Sequence, residues 1–295
     1  MIIIFCDNGY SSREPDDLYL AEYAAARTAG LQTGLVRFET LTKGRDATEA
    51  VRRLPLLEEE KQGVYRGWML KPAEYEALYQ ALLQKNIRLI NNPAEYRFCH
   101  YLPEGYGVIE GKTPRSVWLD CTDGYDDAAL LDLAGQFNGK PIIVKDYVKS
   151  QKHYWTEACF IPDSDNPQQV LAVTKRFLAL QGDDLNVGVV YREFVPFAPL
   201  ALHSKSGMPL TLEYRAFVKE GRVISLFKYW EEGEYDAELP DPEIFRAEIN
   251  RVNSNFFTLD IAQKTDGEWL IVELGDGQVA GLPEHADPVL FYQCF

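Results

Sequence analysis

No apolar run in the 295-residue sequence approaches the ~20 residues of a membrane span, and the start, Met1-Ile-Ile-Ile-Phe5, lacks the basic residues of a signal peptide. The five cysteines are odd in number and scattered, with no Cys-x-x-Cys pair, so we expect buried packing residues in a reducing cytoplasm. With a net charge of −15, the chain also lacks the positive charge that nonspecific binding to nucleic acid or anionic membranes requires. These absences predict a cytoplasmic protein without membrane or nonspecific nucleic-acid binding.

A glycine-rich dinucleotide loop is absent after the first predicted strand, residues 2–5, which argues against a nicotinamide site. Residues 1–105 instead alternate predicted strands and helices, with the clearest helices over residues 16–28 and 72–85. This alternation predicts a small α/β domain with parallel strands. Ordinary turn chemistry is the alternative for the polar residues near its strand ends. Those candidate ligand contacts are Asp7, Asn8, Arg66 and Trp68.

The densest basic cluster of the chain follows a strand that ends at Lys145. Residues 141–145 are predicted to form this strand after a Gly139-Lys140 turn, and the next loop carries Lys149 and Lys152. A lysine at the end of a buried strand, followed by two more in a flexible loop, suits polyphosphate binding by point charges. A solvated strand end is the alternative interpretation.

Residues 256–281 are predicted to form a strand, a tight turn and a second strand. Asp266-Gly267 between two apolar runs indicates a hairpin with a two-residue loop, and that register places Asp260 opposite Glu273. Two opposed carboxylates, roughly 5 Å apart at Cβ, repel each other unless a cation lies between them. Mg²⁺ is typically held by one or two carboxylates plus substrate phosphates. With Asp276 nearby, the pair is a candidate metal site; two solvated acids on an open face are the alternative.

A second hairpin is predicted in residues 213–229, within a largely antiparallel C-terminal third. With Glu220-Gly221 as its loop, Glu213 faces Lys228, and Arg215 lies on the same face. Charged residues on one face and apolar residues on the other suggest a charged working surface. A helix is predicted over residues 243–255, and the acidic segment 229–242 is either a mobile lid or an ordinary solvated loop.

These segments together resemble the ATP-grasp superfamily, and more closely its clade named for one arginine and two lysines. The order of the signals carries the resemblance: a strand lysine after Gly-Lys-Pro, a strand that ends in a hinge, and a terminal Asp…Glu pair. The resemblance implies a mixed α/β and α+β fold. Its parts are an N-terminal α/β pre-ATP-grasp domain over residues 1–105, a central ATP-grasp subdomain over 106–190 and a C-terminal subdomain with the metal site over 191–295. The similar segments are Tyr65-Arg-Gly-Trp-Met69, residues 90–100, Lys145…Lys149-Ser-Gln-Lys152, Glu213-Tyr-Arg215 and Glu273-Leu-Gly-Asp-Gly-Gln278.

The resemblance also implies roles for individual residues. Lys145 contacts the α- or β-phosphate of ATP, and Arg215 steadies the γ-phosphate or an acyl-phosphate, so these two are the expected catalytic residues. Asp260 and Glu273 hold Mg²⁺. The backbone of the hinge binds the adenine edge. The remaining expected ATP-binding residues are Lys149, Lys152, Arg97, Lys228 and the hinge residues Glu193, Phe194 and Val195.

Three departures from the family pattern are visible in the sequence. The loop at residues 147–153 is basic and has no glycine, where typical members have a glycine-rich loop over the phosphates. The usual Glu-x-Asn metal pair is Glu273-Leu-Gly275 here, so Asp276 or a water supplies the missing oxygen. An earlier lysine of the superfamily is absent; Arg97 or His100 stands in for it, and Arg97 is favoured as a permanent charge. A packed or capping histidine is the alternative for His100.

The activity that the resemblance implies is ATP-dependent ligation of a carboxylate to an amine through an acyl-phosphate, with release of ADP. The expected cofactors are ATP and Mg²⁺, and the expected substrates are a peptide, a protein or an amino acid. One alternative is an assembly chaperone that binds ATP without turnover, as in a similar eukaryotic cell-division-cycle protein that assembles a translation initiation factor. The other is a phosphotransferase that stops after phosphorylating a small molecule.

Overall fold

A computed structural model of the chain describes residues 1–204, 207–235 and 239–295. The predicted acidic lid at residues 229–242 lies partly outside this range, because Asp236 and Glu238 are not described. Across these ranges, no helix has the length and apolarity needed to cross a membrane. The described strands form three main sheets and one short ribbon.

The first sheet is built as the alternation of strands and helices predicted. Its strands run in the order β2-β1-β4-β5 with β3 beside β1; β3, β1, β4 and β5 are parallel, and β2, which was not predicted, is antiparallel to β1. The strands are β1 (Ile2–Asn8), β2 (Ser11–Pro15), β3 (Gln32–Val36), β4 (Lys61–Arg66) and β5 (Ile87–Leu89). The helices are α1 (Leu20–Thr28), α2 (Phe38–Thr42), α3 (Ala47–Ala50) and α4 (Pro72–Leu83).

The second sheet is antiparallel throughout, in the order β6-β9-β7-β8. Two helices precede it, and the first starts at a capping box in which Asn92 and Glu95 satisfy each other's backbone N–H groups. The helices are α5 (Pro93–His100), α6 (Leu102–Ile109), α7 (Asp127–Gly135), α8 (Trp155–Ala158) and α9 (Pro167–Gln181). The strands are β6 (Ser116–Asp120), β7 (Ile142–Lys145), β8 (Phe160–Ile161) and β9 (Gly188–Glu193). All of β9 pairs within this sheet, so the sheet extends to Glu193.

The third sheet is also antiparallel, in the order β13-β12-β14-β15, and a short ribbon of β10 and β11 precedes it. The predicted helix over residues 243–255 is wrong in extent, because a 3₁₀ turn at Pro242–Phe245 and the four α-helical residues after it are its only helical part, and a turn at residues 250–251 precedes β14. The strands are β10 (Pro199–Leu202), β11 (Pro209–Thr211), β12 (Glu213–Lys219), β13 (Arg222–Lys228), β14 (Phe256–Gln263) and β15 (Trp269–Asp276). The helices are α10 (Arg246–Ile249) and α11 (Pro288–Tyr292).

The hairpin of β14 and β15 has the predicted pairing but a different turn. The Lys264 N–H donates to the Glu268 carbonyl at 2.7 Å and Gly267 has a φ of +92°, so the loop has three residues rather than two. That turn alone would shift the register by one residue. A β-bulge at Val272 reverses the shift and restores Asp260 opposite Glu273.

The hairpin of β12 and β13 has the predicted turn but a different pairing. Both Glu220 and Gly221 have positive φ, as a two-residue type I′ loop requires. A register shift between Phe217 and Val218 then places Lys228 opposite Tyr214 instead of Glu213. The expected Glu213–Lys228 pair is therefore wrong, because one bulged residue moves Lys228 to the other face of the sheet.

Buried Arg66 connects the first sheet to the third. Its guanidinium is fully buried, pairs with both carboxylate oxygens of Glu22 and donates to the carbonyls of Gly277 and Ala280 at 2.7 Å each. The Tyr292 hydroxyl donates to the same Glu22 at 2.6 Å. Arg66 is thus a structural residue between the sheets rather than a ligand contact.

Asn91 makes a second connection between these sheets. Its side chain is fully buried, accepts from the N–H groups of Asn255 and Phe256, and donates to the Phe256 carbonyl and to Asp276. One amide therefore satisfies four polar groups that burial would otherwise leave without water.

We expect Asn91→Ala to lower the free energy of unfolding by about 2–4 kcal/mol, because it leaves several buried polar groups unsatisfied. Urea denaturation at neutral pH measures the change. The matched control is Asn250→Ala, at an exposed position, which should cost less than about 0.5 kcal/mol. Equal losses in the two variants would contradict the role given to Asn91.

Candidate active site between the second and third sheets

Three neighbouring strands of the third sheet place charged side chains in one row. Arg215 on β12 lies opposite Asp260 on β14, which lies opposite Glu273 on β15. Residues paired in this way point to the same face of a sheet. The register of the three strands thus places Arg215, Asp260 and Glu273 side by side on one face of the third sheet.

The two acids of this row are neutralised by cations from different sheets. Arg215 donates to both oxygens of Asp260, from Nε at 2.8 Å and from Nη2 at 2.7 Å. Lys145, the last residue of β7 in the second sheet, donates from Nζ to Glu273 at 2.5 Å. Burial alone would raise the pKa of Glu273, but the charges of Lys145, Lys152 and Arg192 hold this pKa below its ordinary value. The row is therefore completed by a lysine that belongs to another layer of the fold.

Lys152 and Glu213 lie beside this row. The ammonium of Lys152 lies 5.7 Å from the ring centroid of Tyr229 and 5.4 Å from that of Trp230, distances typical of cation–π contacts. The Tyr229 hydroxyl, with Glu213 and Glu273, raises the pKa of Lys152 above its ordinary value. Burial raises the pKa of Glu213 to about 7, despite the opposing charge of Lys152. Glu213 is thus a buried carboxyl that titrates near neutral pH.

A mostly apolar slot of about 250 Å³ opens next to these charges. The hinge residues Glu193, Phe194 and Val195 line it, together with Lys152 and Glu213. The side chain of Glu193 itself is engaged by Lys140 at 2.8 Å. Further lining residues are Ile143, Trp155, Arg192, Met208, Thr211 and Trp230.

Some residues predicted for the site lie elsewhere. Arg97 is exposed and pairs with Glu104 at 3.0 Å, so it does not reach the row. The ammonium of Lys228 lies 5.2 Å from the Tyr235 ring centroid, on the Tyr214 face of the sheet. Lys149 lines a different cavity, described below. The structure brings together Lys145, Lys152, Arg215, Asp260, Glu273 and the hinge.

Asp276 cannot serve as the third metal ligand that the sequence suggested. It is buried, accepts from Asn91 Nδ2 at 2.6 Å and from the Gln278 N–H at 2.9 Å, and its pKa is raised to about 7 by burial. The reason is strand alternation: Glu273 and Gly275 point to the row, whereas Asp276 points away. At Gly275 itself a Cβ would lie 2.6 Å from the Thr258 hydroxyl oxygen, so Thr258 occupies the space of an asparagine side chain.

Arg192 is a site residue that the sequence analysis did not single out. It is buried on β9, donates to the Thr113 hydroxyl at 2.6 Å and contributes to the lowered pKa of Glu273. Its signal in the sequence is an arginine within an otherwise apolar strand, Gly188-Val-Val-Tyr-Arg192. Buried charges are rare unless paired, so a charged residue in an apolar strand could have identified Arg192 as a candidate site residue.

The donors of the row fit a magnesium ion bound together with phosphate. The described residues contain no group of three or more His, Cys, Asp or Glu side chains arranged for a metal. Mg²⁺ needs fewer, since one or two carboxylates suffice when phosphate oxygens and water complete its shell. Asp260 and Glu273 supply two such carboxylates on one face.

We expect Glu213→Gln to change the pH dependence of stability. The pKa of Glu213 is about 7 in the folded protein against an ordinary 4.5, so its contribution to stability is present at low pH and is lost as pH rises to about 7. The glutamine variant has no such loss. Its free energy of unfolding, relative to the parent, should rise between about pH 5 and about pH 8. Urea denaturation across this range measures the difference, and a constant difference would contradict the prediction.

Comparisons with known structures agree on the fold. An ATP-grasp RimK domain protein from Sphaerobacter thermophilus is 12% identical, with a TM-score of 0.56 over 100% of this chain and 99% of that one. D-alanyl-alanine synthetase A from Vibrio cholerae is 12% identical, with a TM-score of 0.58 over 100% and 97%. The ATP-grasp ligase PsnB, in complex with its precursor peptide PsnA2 and AMPPNP, is 13% identical, with a TM-score of 0.55 over 95% and 89%.

Sequence comparison identifies the family. No curated protein matches the chain. A family model matches residues 135–293, and it describes an ATP-grasp domain, family 3 of the clade named for one arginine and two lysines. This range is more than half of the chain and contains the hinge, the row of charges, Lys145 and Lys152. The chain therefore has the ATP-grasp fold and belongs to the third family of that clade of ATP-grasp domains.

Proposed function

We propose that this protein is an ATP-dependent ligase that joins a carboxylate to an amine. The observation that carries the proposal is the row of Arg215, Asp260 and Glu273, which Lys145 of the second sheet completes. Phosphoryl transfer depends mainly on positioning and on charge stabilisation. A preformed set of cations and metal-binding acids next to an apolar slot supplies both.

The slot and the row suggest where the parts of ATP bind. The slot of about 250 Å³ beside the hinge takes the adenine ring, whose flat apolar faces suit its lining. Lys145 and Lys152 then contact the phosphates as point charges. Asp260 and Glu273 hold Mg²⁺, which neutralises phosphate charge when bound. Because Glu273 is paired with Lys145 in the structure, this pair must loosen as phosphate and metal bind.

The proposed reaction has two balanced steps. A carboxylate oxygen of the substrate attacks the γ-phosphorus of ATP, the bond to the bridging oxygen breaks, and ADP leaves from an acyl-phosphate. An amine nitrogen then attacks the acyl carbon, a proton leaves the nitrogen, and inorganic phosphate departs as the amide forms. Arg215 lies within the row, where its guanidinium neutralises charge on the phosphoryl oxygens in both steps.

The solved relatives support a peptide or amino-acid substrate for this chain. PsnB was solved with a precursor peptide, and another similar fold is D-cycloserine synthetase, 14% identical with a TM-score of 0.57. The division of the chain remains part of the proposal: a pre-ATP-grasp domain over residues 1–105 and two ATP-grasp subdomains over residues 106–190 and 191–295, which clasp the nucleotide.

The first test measures nucleotide binding in Lys145→Met and Glu273→Gln. ATP at 100 times its dissociation constant should raise the free energy of unfolding of the parent by about 2.7 kcal/mol in the presence of Mg²⁺. Loss of a charge-assisted bond should weaken ATP binding tenfold or more in Lys145→Met. Glu273→Gln should raise the Mg²⁺ concentration needed for the effect. Lys175→Met, at an exposed lysine of α9, is the matched control and should behave as the parent.

ADP release with a panel of peptides and amino acids then separates the candidate functions. A ligase releases ADP and forms an amide only when a carboxylate and an amine are both present. A phosphorylated product without any amine would identify a phosphotransferase instead. Tight ATP binding without turnover on the whole panel would favour the assembly chaperone. If ATP does not stabilise the parent, the proposal of a nucleotide site is contradicted.

A further inference from the structure

A second cavity, of about 450 Å³, lies between the first sheet and the loop that follows β7. Phe38, Met69 and Leu70 follow the carboxyl ends of β3 and β4, the edge at which open α/β sheets bind ligands. The cavity shares no lining residue with the slot beside the hinge. It is therefore a separate site. The opposite wall is formed by His100, Val148, Lys149, Gln151, Gln181 and Asn186.

His100 points to a ligand in this cavity. Only 8% of its surface is exposed, and its ring stacks against Tyr96 and Tyr101 at centroid distances of 4.9 and 5.5 Å. Its ring nitrogens make no hydrogen bond or ion pair with any residue of the described ranges. Burial lowers the pKa of His100 to about 4, and the charge of Lys149 adds to this effect. At neutral pH the imidazole is uncharged, so one ring nitrogen is an N–H donor and the other is an acceptor.

The backbone of Lys149, near His100, is held by hydrogen bonds to Asp146. The buried carboxylate of Asp146 accepts from the N–H groups of Val148 at 2.7 Å and Lys149 at 2.5 Å, and from the side chains of Gln181 and Asn186. The loop that was predicted to be flexible is thus fixed to the end of α9. The Lys149 ammonium makes no ion pair with the described residues. Lys149, which is exposed to solvent, and the buried His100 therefore line the same cavity.

The remaining walls limit the kind of ligand. Of the two acids in the lining, Glu74 is used as the helix cap that accepts the Lys71 N–H at 2.8 Å, and Asp184 is exposed at the rim. The amides of Gln181 and Asn186 already donate to Asp146. The wall from the first sheet combines the apolar side chains of Phe38, Met69 and Leu70 with Thr42 and with Lys71, whose ammonium donates to the Asp183 carbonyl at 3.1 Å. This combination suits an anionic group attached to an apolar body.

We propose that this cavity binds the carboxylic acid that the ligase activates, with the carboxylate held between His100 and Lys149 and an apolar side chain against Phe38, Met69 and Leu70. The proposal rests on the proposed ligase function. The N–H of Asp146, the residue directly after Lys145, donates to the Lys149 carbonyl at 2.8 Å, so the cavity adjoins the end of β7 that completes the row. The γ-phosphate of ATP has similar chemistry, and the experiment distinguishes the two.

The test uses the four histidines of the chain as reporters. The full-length protein is labelled with ¹³C-histidine, and the His100 signal is assigned from its absence in His100→Gln. N-acetyl-leucine, titrated to tens of millimolar without ATP, should move the His100 signal in a saturable manner. N-acetyl-leucinamide, which lacks the carboxylate, should not move it. Lys149→Met should weaken the effect at least tenfold, whereas Lys175→Met should leave it unchanged.

Three outcomes would overturn the proposal. The first is a His100 signal that does not move with the acid, and the second is a signal that moves equally with the acid and the amide. The third is displacement of the acid by ATP with Mg²⁺, seen at the same signal, which would assign His100 and Lys149 to a nucleotide phosphate. The result is independent of the ligase proposal, because the titration contains no ATP. If ATP fails to stabilise the protein but the acid still binds through Lys149, the ligase function falls while the acid site stands.

Discussion

The mutual repulsion of Asp260 and Glu273 is the constraint on which the site depends. Two carboxylates paired across neighbouring strands need compensating charge, most of all where water is scarce. Arg215 supplies it from the adjacent strand of the same sheet, whereas Lys145 supplies it from the second sheet. Compensation of Glu273 therefore also holds two layers of the fold together. When a phosphate and its metal bind, the phosphate pairs with the cations and the metal pairs with the two carboxylates. Ligand binding therefore exchanges the partners of these side chains and leaves no charge uncompensated.

The segment from Glu273 to Ala280 serves two purposes because successive strand residues point to opposite faces. Glu273 faces the charged row, while Asp276 and Gln278 face the first sheet and bond to Asn91, Tyr75 and the Tyr65 N–H. The carbonyls of Gly277 and Ala280 are then taken up by Arg66. The same few residues thus fix the site and attach the first sheet, which carries one wall of the second cavity.

The loop after β7 has a different physical basis from the glycine-rich loop of typical ATP-grasp proteins. Glycine gives such a loop freedom, whereas Asp146 removes freedom here by accepting several hydrogen bonds from the loop and from the end of α9. The consequence is a fixed backbone position for Lys149, which lines the second cavity, while Lys152 lines the hinge slot. The hinge slot and the second cavity are separated by this loop and remain open at the same time.

The sequence by itself determined the α/β alternation of the first sheet, the hairpin that carries Asp260 and Glu273, and the candidate roles of Lys145 and Arg215, since these follow from local periodicity, turn residues and family motifs. Only the tertiary structure decided that Asp276, Arg66, Arg97 and Lys228 lie outside the charged row. A bulge of one residue places Lys228 on the face of the third sheet opposite to Arg215. A second bulge offsets the three-residue turn and keeps Glu273 on the same face as Asp260. Asp276 and Arg66 looked like ligand contacts because a sequence shows that a polar residue is present but not what packs on it. Asp276 bonds to Asn91, which is 185 residues away in the sequence, and Arg66 bonds to Gly277, which is 211 residues away. Only the packing of the first sheet against the third brings these residues together.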